Sequence, residues 1–196
     1  MKVGCLFGSF DPPHLGHLQL AKYMLQHLGL DQVWLVVTPQ NPFKQDRKLS
    51  PERHRLAMAH LAVQGIEGLS ASGLELDMPR PIYTADTLAF MRERWPQHEF
   101  SLIIGSDNLA TLHQWKDVSS MLEKTSVLVY PRPGLEDHLA RADLLYHPAV
   151  KLVPDAPQDV VSSTGIRVRL RGWKPVEGLL DPKVLAYIRQ NGLYAD

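Results

Sequence analysis

Val3-Gly4-Cys5-Leu6-Phe7-Gly8-Ser9-Phe10-Asp11-Pro12-Pro13-His14-Leu15-Gly16-His17 decides the fold. Its apolar head, Val3 to Phe7, reads as a buried strand. Gly8 follows, where the chain needs close backbone approach or a positive φ. Pro12-Pro13 stiffens the turn. A helix then opens, with Leu18, Ala21, Leu25 and Leu28 at helical spacing.

The same alternation continues outward. Val33 to Thr38 reads as a second buried strand, β-branched and bounded by Pro39. Ser50-Pro51 starts a helix that runs to about Gln64. Leu69 to Leu74 is a weaker strand, and Thr84 to Arg94 a helix that stops before Pro96. Phe100 to Ile104, Thr125 to Tyr130 and Val150 to Val153 complete the strands. Ser163 to Arg171 and Pro182 to Gln190 close the chain as helices. Residues 39–50 and 131–149 read as loops, not linkers, because apolar strands resume after each. Strands alternating with helices predict an α/β fold, a single Rossmann-like doubly wound parallel sheet with helices on both faces. One domain spans 1–196, including a short helical C-terminal part from about 160 to 196. Ligands of such sheets bind beyond the C-terminal strand ends, and the unusual residues of this chain fall there.

The composition narrows the function. Lys plus Arg and Asp plus Glu both number 21, so the formal charge is zero. No basic stripe suits a nucleic acid polymer. Cys5 is the only cysteine, which excludes an internal disulfide and suits a reducing compartment. No secretory signal and no membrane span is evident. The expectation is a soluble cytoplasmic protein, with a homo-oligomer left open.

Chemistry concentrates at two places. After the first strand, Ser9 and Phe10 offer backbone N–H groups. His14 and His17, three apart, project to one side of the first helical turn, with Gly16 between them. A helix N-terminus with free N–H groups is an anion site. Two imidazoles, each able to donate to phosphate and to carry charge near neutral pH, make it a triphosphate site. Two histidines could also be half of a zinc site, but no His/Cys/Glu partners follow at metal spacing, so no protein-bound metal is expected. Late in the chain comes Ser162-Ser163-Thr164-Gly165-Ile166-Arg167. Ser163 and Thr164 can cap the helix or hold phosphate, and Arg167 offers a bidentate fork.

Gly8 to His17 resembles the signature of the HxGH nucleotidylyltransferase superfamily, and Ser162 to Arg167 resembles that superfamily's late Ser-Ser-Thr-x-Ile-Arg element. The middle of the chain is similar to bacterial nicotinate-mononucleotide adenylyltransferases. The Pro-broken loop ending in Lys44 stands where that family has a Pro-rich loop ending in Lys or Arg. Tyr83-Thr84-Ala85-Asp86-Thr87-Leu88 resembles its Tyr-Thr-x-x-Thr-Leu, which suits the acceptor's carboxylate. Gly105-Ser106-Asp107 resembles its Gly-x-Asp, which reaches ribose. Trp115 matches the tryptophan that stacks on the pyridine ring, and Pro131-Arg132-Pro133-Gly134 its Arg-x-Gly turn, with Arg132 toward adenine. The ending Tyr187 to Tyr194 also matches and reads as structural. The chain departs at Val118, where an aromatic often stands, and in Asn41-Pro42-Phe43-Lys44 where Pro-Pro-His-Lys is usual.

The resemblance implies transfer of AMP from ATP to nicotinate mononucleotide, giving nicotinate adenine dinucleotide and pyrophosphate in NAD biosynthesis, with Mg²⁺ accompanying ATP. It assigns His14, His17 and Arg167 to catalysis. Gly8, Ser9, Phe10, Gly105, Asp107, Arg132, Ser163 and Thr164 join them in holding ATP. Lys44, Tyr83, Thr84 and Trp115 hold the mononucleotide. Competing readings are the same chemistry on nicotinamide mononucleotide or phosphopantetheine, a non-catalytic nucleotide-sensing module, and a metal-dependent hydrolase using the nine histidines. His27, His60 and His98 read as surface residues.

Overall fold

A computed structural model describes residues 1–39, 49–132, 142–158 and 161–195. Lys44 and residues 133–141 of the second expected loop lie outside them. The strands are β1 (Lys2–Gly8), β2 (Gln32–Val37), β3 (Leu69–Ser72), β4 (Glu99–Gly105), β5 (Ser126–Tyr130) and β6 (Val150–Leu152). They form one parallel sheet in the order β3-β2-β1-β4-β5-β6. The winding direction reverses between β1 and β4, which pair from Lys2↔Glu99 to Leu6↔Ile103. The residues after these two strands therefore flank the switch point, where such sheets hold their ligands.

The helices are α1 (Leu15–His27), α2 (Glu52–Val63), α3 (Thr84–Arg94), α4 (Ser106–Thr111), α5 (Val118–Lys124), α6 (Ala142–Leu145), α7 (Ser163–Arg171) and α8 (Pro182–Gln190). Strand alternation sends successive side chains to opposite faces, and two separate cores result. Leu6, Leu35, Ile103 and Leu128 pack with Met24 of α1, Met58 of α2, Ile166 of α7 and Val184 of α8. Val3, Cys5, Leu102 and Val127 pack with Leu88 and Met91 of α3 and Met121 of α5. Helices on both faces of a doubly wound sheet are thus observed. Burial pushes the Cys5 thiol up, so it remains protonated and acts as a small core residue.

Most expected elements fall within two residues of their observed bounds, and α3, α7 and α8 coincide. The differences have physical causes. The third strand stops at Ser72, and Leu74–Asp77 instead winds into a 3-10 turn. α4, α5 and α6 were not anticipated; at six, seven and four residues they are too short for a clear apolar period. The capping assignments also move. Ser162 caps α7 by accepting from the Gly165 N–H at 3.0 Å, leaving Ser163 and Thr164 inside the helix. Tyr83, without a side-chain cap bond, precedes α3, so Thr84 is its first residue and not its cap. Likewise Gly105 precedes α4, and Asp107 sits in its first turn.

Candidate active site

A cleft of about 350 Å³ gathers most of the residues singled out in the sequence. Its floor comes from Gly8, Ser9 and Phe10 after β1. Its walls include His14 and His17 of the first helical turn, Ser163, Thr164 and Arg167 of α7, and Gly105, Asp107 and Arg132 after β4 and β5. Thr84 and Trp115 close the other end. Tyr83 does not line the cleft; its ring lies beneath the Lys116 ammonium, 5.1 Å from the centroid. Lys116 also bonds both Asp86 oxygens, at 2.8 and 3.0 Å, and so joins the start of α3 to the Trp115 segment.

The loop from Gly8 to His14 is tighter than its sequence suggests. Phe10, not Gly8, takes the positive φ, at 46°. Its buried ring folds back so that a Cβ on Gly8 would meet it at 3.1 to 3.3 Å. Glycine is therefore favoured by this close contact and not by its dihedral. His14 precedes α1 in extended conformation (φ −134°, ψ 171°). Its N–H donates to Nδ1 of His17 at 3.2 Å, and the imidazoles stack with centroids 3.7 Å apart. Phe10 meets His17 edge-on at 5.0 Å. Burial first, then His14, then Arg132 hold the pKa of His17 well below the ordinary imidazole value. The expectation that each imidazole carries charge near neutral pH is thus corrected for His17, which is neutral in the ligand-free protein. With Nδ1 accepting, its proton resides on Nε2.

α7 is fastened to this loop across the sequence. Ser163 Oγ donates to the Pro12 carbonyl at 2.9 Å. Arg167 Nη1 donates to the Asp11 carbonyl at 2.6 Å, and Nη2 to Thr164 Oγ1 at 3.1 Å. Two donors of the guanidinium are committed, and its other N–H groups remain for a ligand. On the opposite wall, Arg132 Nε lies 3.6 Å from Asp107 Oδ1. A Cβ on Gly105 would meet the Asp107 carboxylate and come within 2.9 Å of the Arg132 side chain, so a larger residue there would push this pair aside.

Two functional groups escaped the sequence reading. Arg55 of α2 is fully buried and donates to four carbonyls: Ser9 (2.8 Å), Thr38 (2.6 Å), Pro39 (2.8 Å) and Ser50 (3.0 Å). It ties the phosphate loop to the chain on both sides of residues 40–48. Glu75, buried in the 3-10 turn yet lining the cleft, accepts from Thr87 Oγ1 at 2.6 Å. Burial pushes its carboxyl up to about 7 against the opposing effect of that hydrogen bond. A lone Arg in an amphipathic helix or a Glu after a weak strand carries no distinguishing signal. His98, expected at the surface, is half-buried with its ring against Trp34 and Phe100. His27 and His60 are exposed as expected.

The cytidylyltransferase-like family matches residues 5–169. A protein of Flavobacterium johnsoniae named "Probable nicotinate-nucleotide adenylyltransferase" is 42% identical over 194 residues, covering 99% of each chain. A Bacillus licheniformis protein of the same name is 33% identical over 193 residues, covering 98% of each. Among solved structures, the nicotinic acid mononucleotide adenylyltransferase of Plasmodium falciparum complexed with NaAD superposes with a TM-score of 0.79 at 18% identity. The match covers 98% of this chain and 97% of that one, and it shows a shared fold. Among the described residues no helix is long and apolar enough to cross a membrane. With the Gly8–His17 and Ser162–Arg167 segments joined across one cleft, the chain belongs to the cytidylyltransferase-like family and, within it, to the nicotinate-nucleotide adenylyltransferases.

Proposed function

We propose that the cleft aligns ATP and nicotinate mononucleotide for transfer of AMP, and that the joining of His14, His17 and Arg167 in one wall carries this reading. The 5′-phosphate of the mononucleotide attacks the α-phosphorus of ATP in line, the bond to the β-phosphate oxygen breaks, and pyrophosphate leaves. A phosphate monoester is already ionised at neutral pH, so the protein needs no general base. Its work is alignment and stabilisation of growing charge.

His17 acts as a neutral Nε2–H donor toward the α-phosphate, and His14 lines the same position. Ser163, Thr164 and the uncommitted N–H groups of Arg167 face the departing β- and γ-phosphates. Asp107 and Arg132 flank the nucleoside end. Trp115 offers its face to the pyridine ring, and the first turn of α3, beginning at Thr84, points backbone N–H groups at the acceptor's carboxylate. Lys44 belongs to the same reading from sequence, offsetting repulsion between the two reacting phosphates. Mg²⁺ bound with ATP would offset the negative charge of its phosphate oxygens. Such an ion would keep several waters and bind chiefly through the substrate's phosphate oxygens. ATP and pyridine mononucleotides share the cytoplasm, and the reaction is assigned there.

Incubating the protein with ATP, Mg²⁺ and one mononucleotide at a time, and identifying the product by mass, tests this. Nicotinate adenine dinucleotide with stoichiometric pyrophosphate is expected. Preferential product from nicotinamide mononucleotide or phosphopantetheine would replace the acceptor, and no pyrophosphate release with any acceptor would overturn the reading.

A further inference from the structure

Asp11 is 1% exposed, and nothing in the reaction above uses it. A buried carboxylate is costly unless it is paired and bonded. Both oxygens are engaged. Oδ1 accepts from the Tyr194 hydroxyl at 2.5 Å, across 183 positions of sequence, and Oδ2 from the Ser50 N–H at 3.3 Å. Arg167 Nη1 stands 4.0 Å from Oδ2 while bonding the carbonyl of the same residue. Buried Arg55 feels the charge as well. Burial disfavours its charged guanidinium, and Asp11 is the largest influence restoring it.

The arrangement constrains Arg167 from two directions. Its bond to the Asp11 carbonyl anchors Nη1, and the carboxylate attracts the whole guanidinium. With Oδ1 held by Tyr194 and Oδ2 by Ser50, the carboxylate cannot rotate to form a closer ion pair with Arg167. The guanidinium then keeps its remaining donors on the cleft. Remove the Tyr194 hydroxyl and Oδ1 loses its partner. The carboxylate is free to turn toward Arg167, the nearest flexible cation, and to draw it off the phosphates.

We propose that Asp11 and Tyr194 are positioning residues for the ATP site, holding Arg167 on the triphosphate by denying it a closer ion pair. The C-terminal end, read from sequence as structural, thereby acts on the reaction through Arg167. This rests on the adenylyl-transfer reading for its kinetic consequences but not for its binding ones.

Tyr194→Phe removes one oxygen and keeps the ring in place, so folding is preserved. Three quantities are measured: kcat/KM for ATP, KM for nicotinate mononucleotide, and Kd for ATP with Mg²⁺ by calorimetry without acceptor. A loss of about tenfold in kcat/KM for ATP is expected, with a similar rise in Kd, as for losing a hydrogen bond to a charged group. The mononucleotide KM stays within twofold. In an Arg167→Lys background, the same substitution adds less than twofold, because its effect runs through Arg167. An unchanged Kd and kcat/KM overturn the proposal. So does an equal weakening of both substrates, which marks a general structural role, or a full tenfold effect on top of Arg167→Lys. The calorimetric measurement stands even if the mononucleotide proves to be a different one.

Discussion

The main-chain N–H of His14 donates to Nδ1 of His17, and this one bond leaves Nε2 as the nitrogen that can donate into the cleft. A charged imidazole would have to surrender that acceptor, because both of its nitrogens carry protons. The capping bond and burial therefore act in the same direction.

Nitrogen-detected NMR of the ligand-free protein should find His17 as the neutral Nε2–H tautomer at pH 7, titrating well below the ordinary imidazole value. A titration midpoint at or above 6.5 would contradict the geometry. In activity, His17→Ala should lower kcat by about 10²-fold or more, the usual cost of losing a donor to a developing oxyanion, with little change in mononucleotide KM.

Trp115 lines the acceptor end and is anchored against the α3-side core. Trp115→Ala should raise the mononucleotide KM by about 3- to 10-fold, the scale of a lost aromatic contact, and leave the ATP KM in place. A rise confined to ATP in steady-state kinetics would mean the pocket has been assigned the wrong way round.

Glu75 predicts a pH dependence of stability. Its folded pKa of about 7 lies above its ordinary 4.5. Between these values the folded chain holds a proton that the unfolded chain releases. Stability is therefore full below about 4.5 and is lost as pH rises through 7. Glu75→Gln keeps an oxygen for Thr87 and cannot ionise. Urea unfolding should favour the variant by up to about 3 kcal/mol at pH 8, and the advantage should vanish at pH 4.5. Parallel curves for the two proteins would exclude Glu75 as the source.

Arg55→Met should destabilise the fold by about 3 to 5 kcal/mol, as expected when one member of a buried charged network is removed. Its removal leaves the carbonyls of Ser9, Thr38, Pro39 and Ser50 without that donor. Urea denaturation reads the change. A loss below about 1 kcal/mol would mean that water takes over these bonds.

What was legible in the sequence follows from range. β1, β4 and α7 declare themselves through local periodicity and punctuation, and the HxGH and Ser-Ser-Thr-x-Ile-Arg elements carry their chemistry within a few residues. Arg55, Glu75 and Asp11 act through partners that the chain brings close only on folding: Arg55 bonds a carbonyl 46 positions away, and Asp11 a hydroxyl 183 away. Their local surroundings look ordinary. Capping was misplaced at α7, because the adjacent hydroxyls of Ser162, Ser163 and Thr164 offer equivalent caps until backbone dihedrals choose between them.

The two cores lie on opposite sides of the sheet, and the cleft straddles its edge. α1 and α7, which carry His17 and Arg167, are rooted in one core. Trp115, Leu74 and Ala85, around the acceptor end, lean on the other. The two halves of the cleft are thus supported largely from opposite faces of one sheet. A library confined to the α3 side of the sheet would therefore alter the Trp115 end of the cleft while leaving the packing beneath α1 and α7 in place.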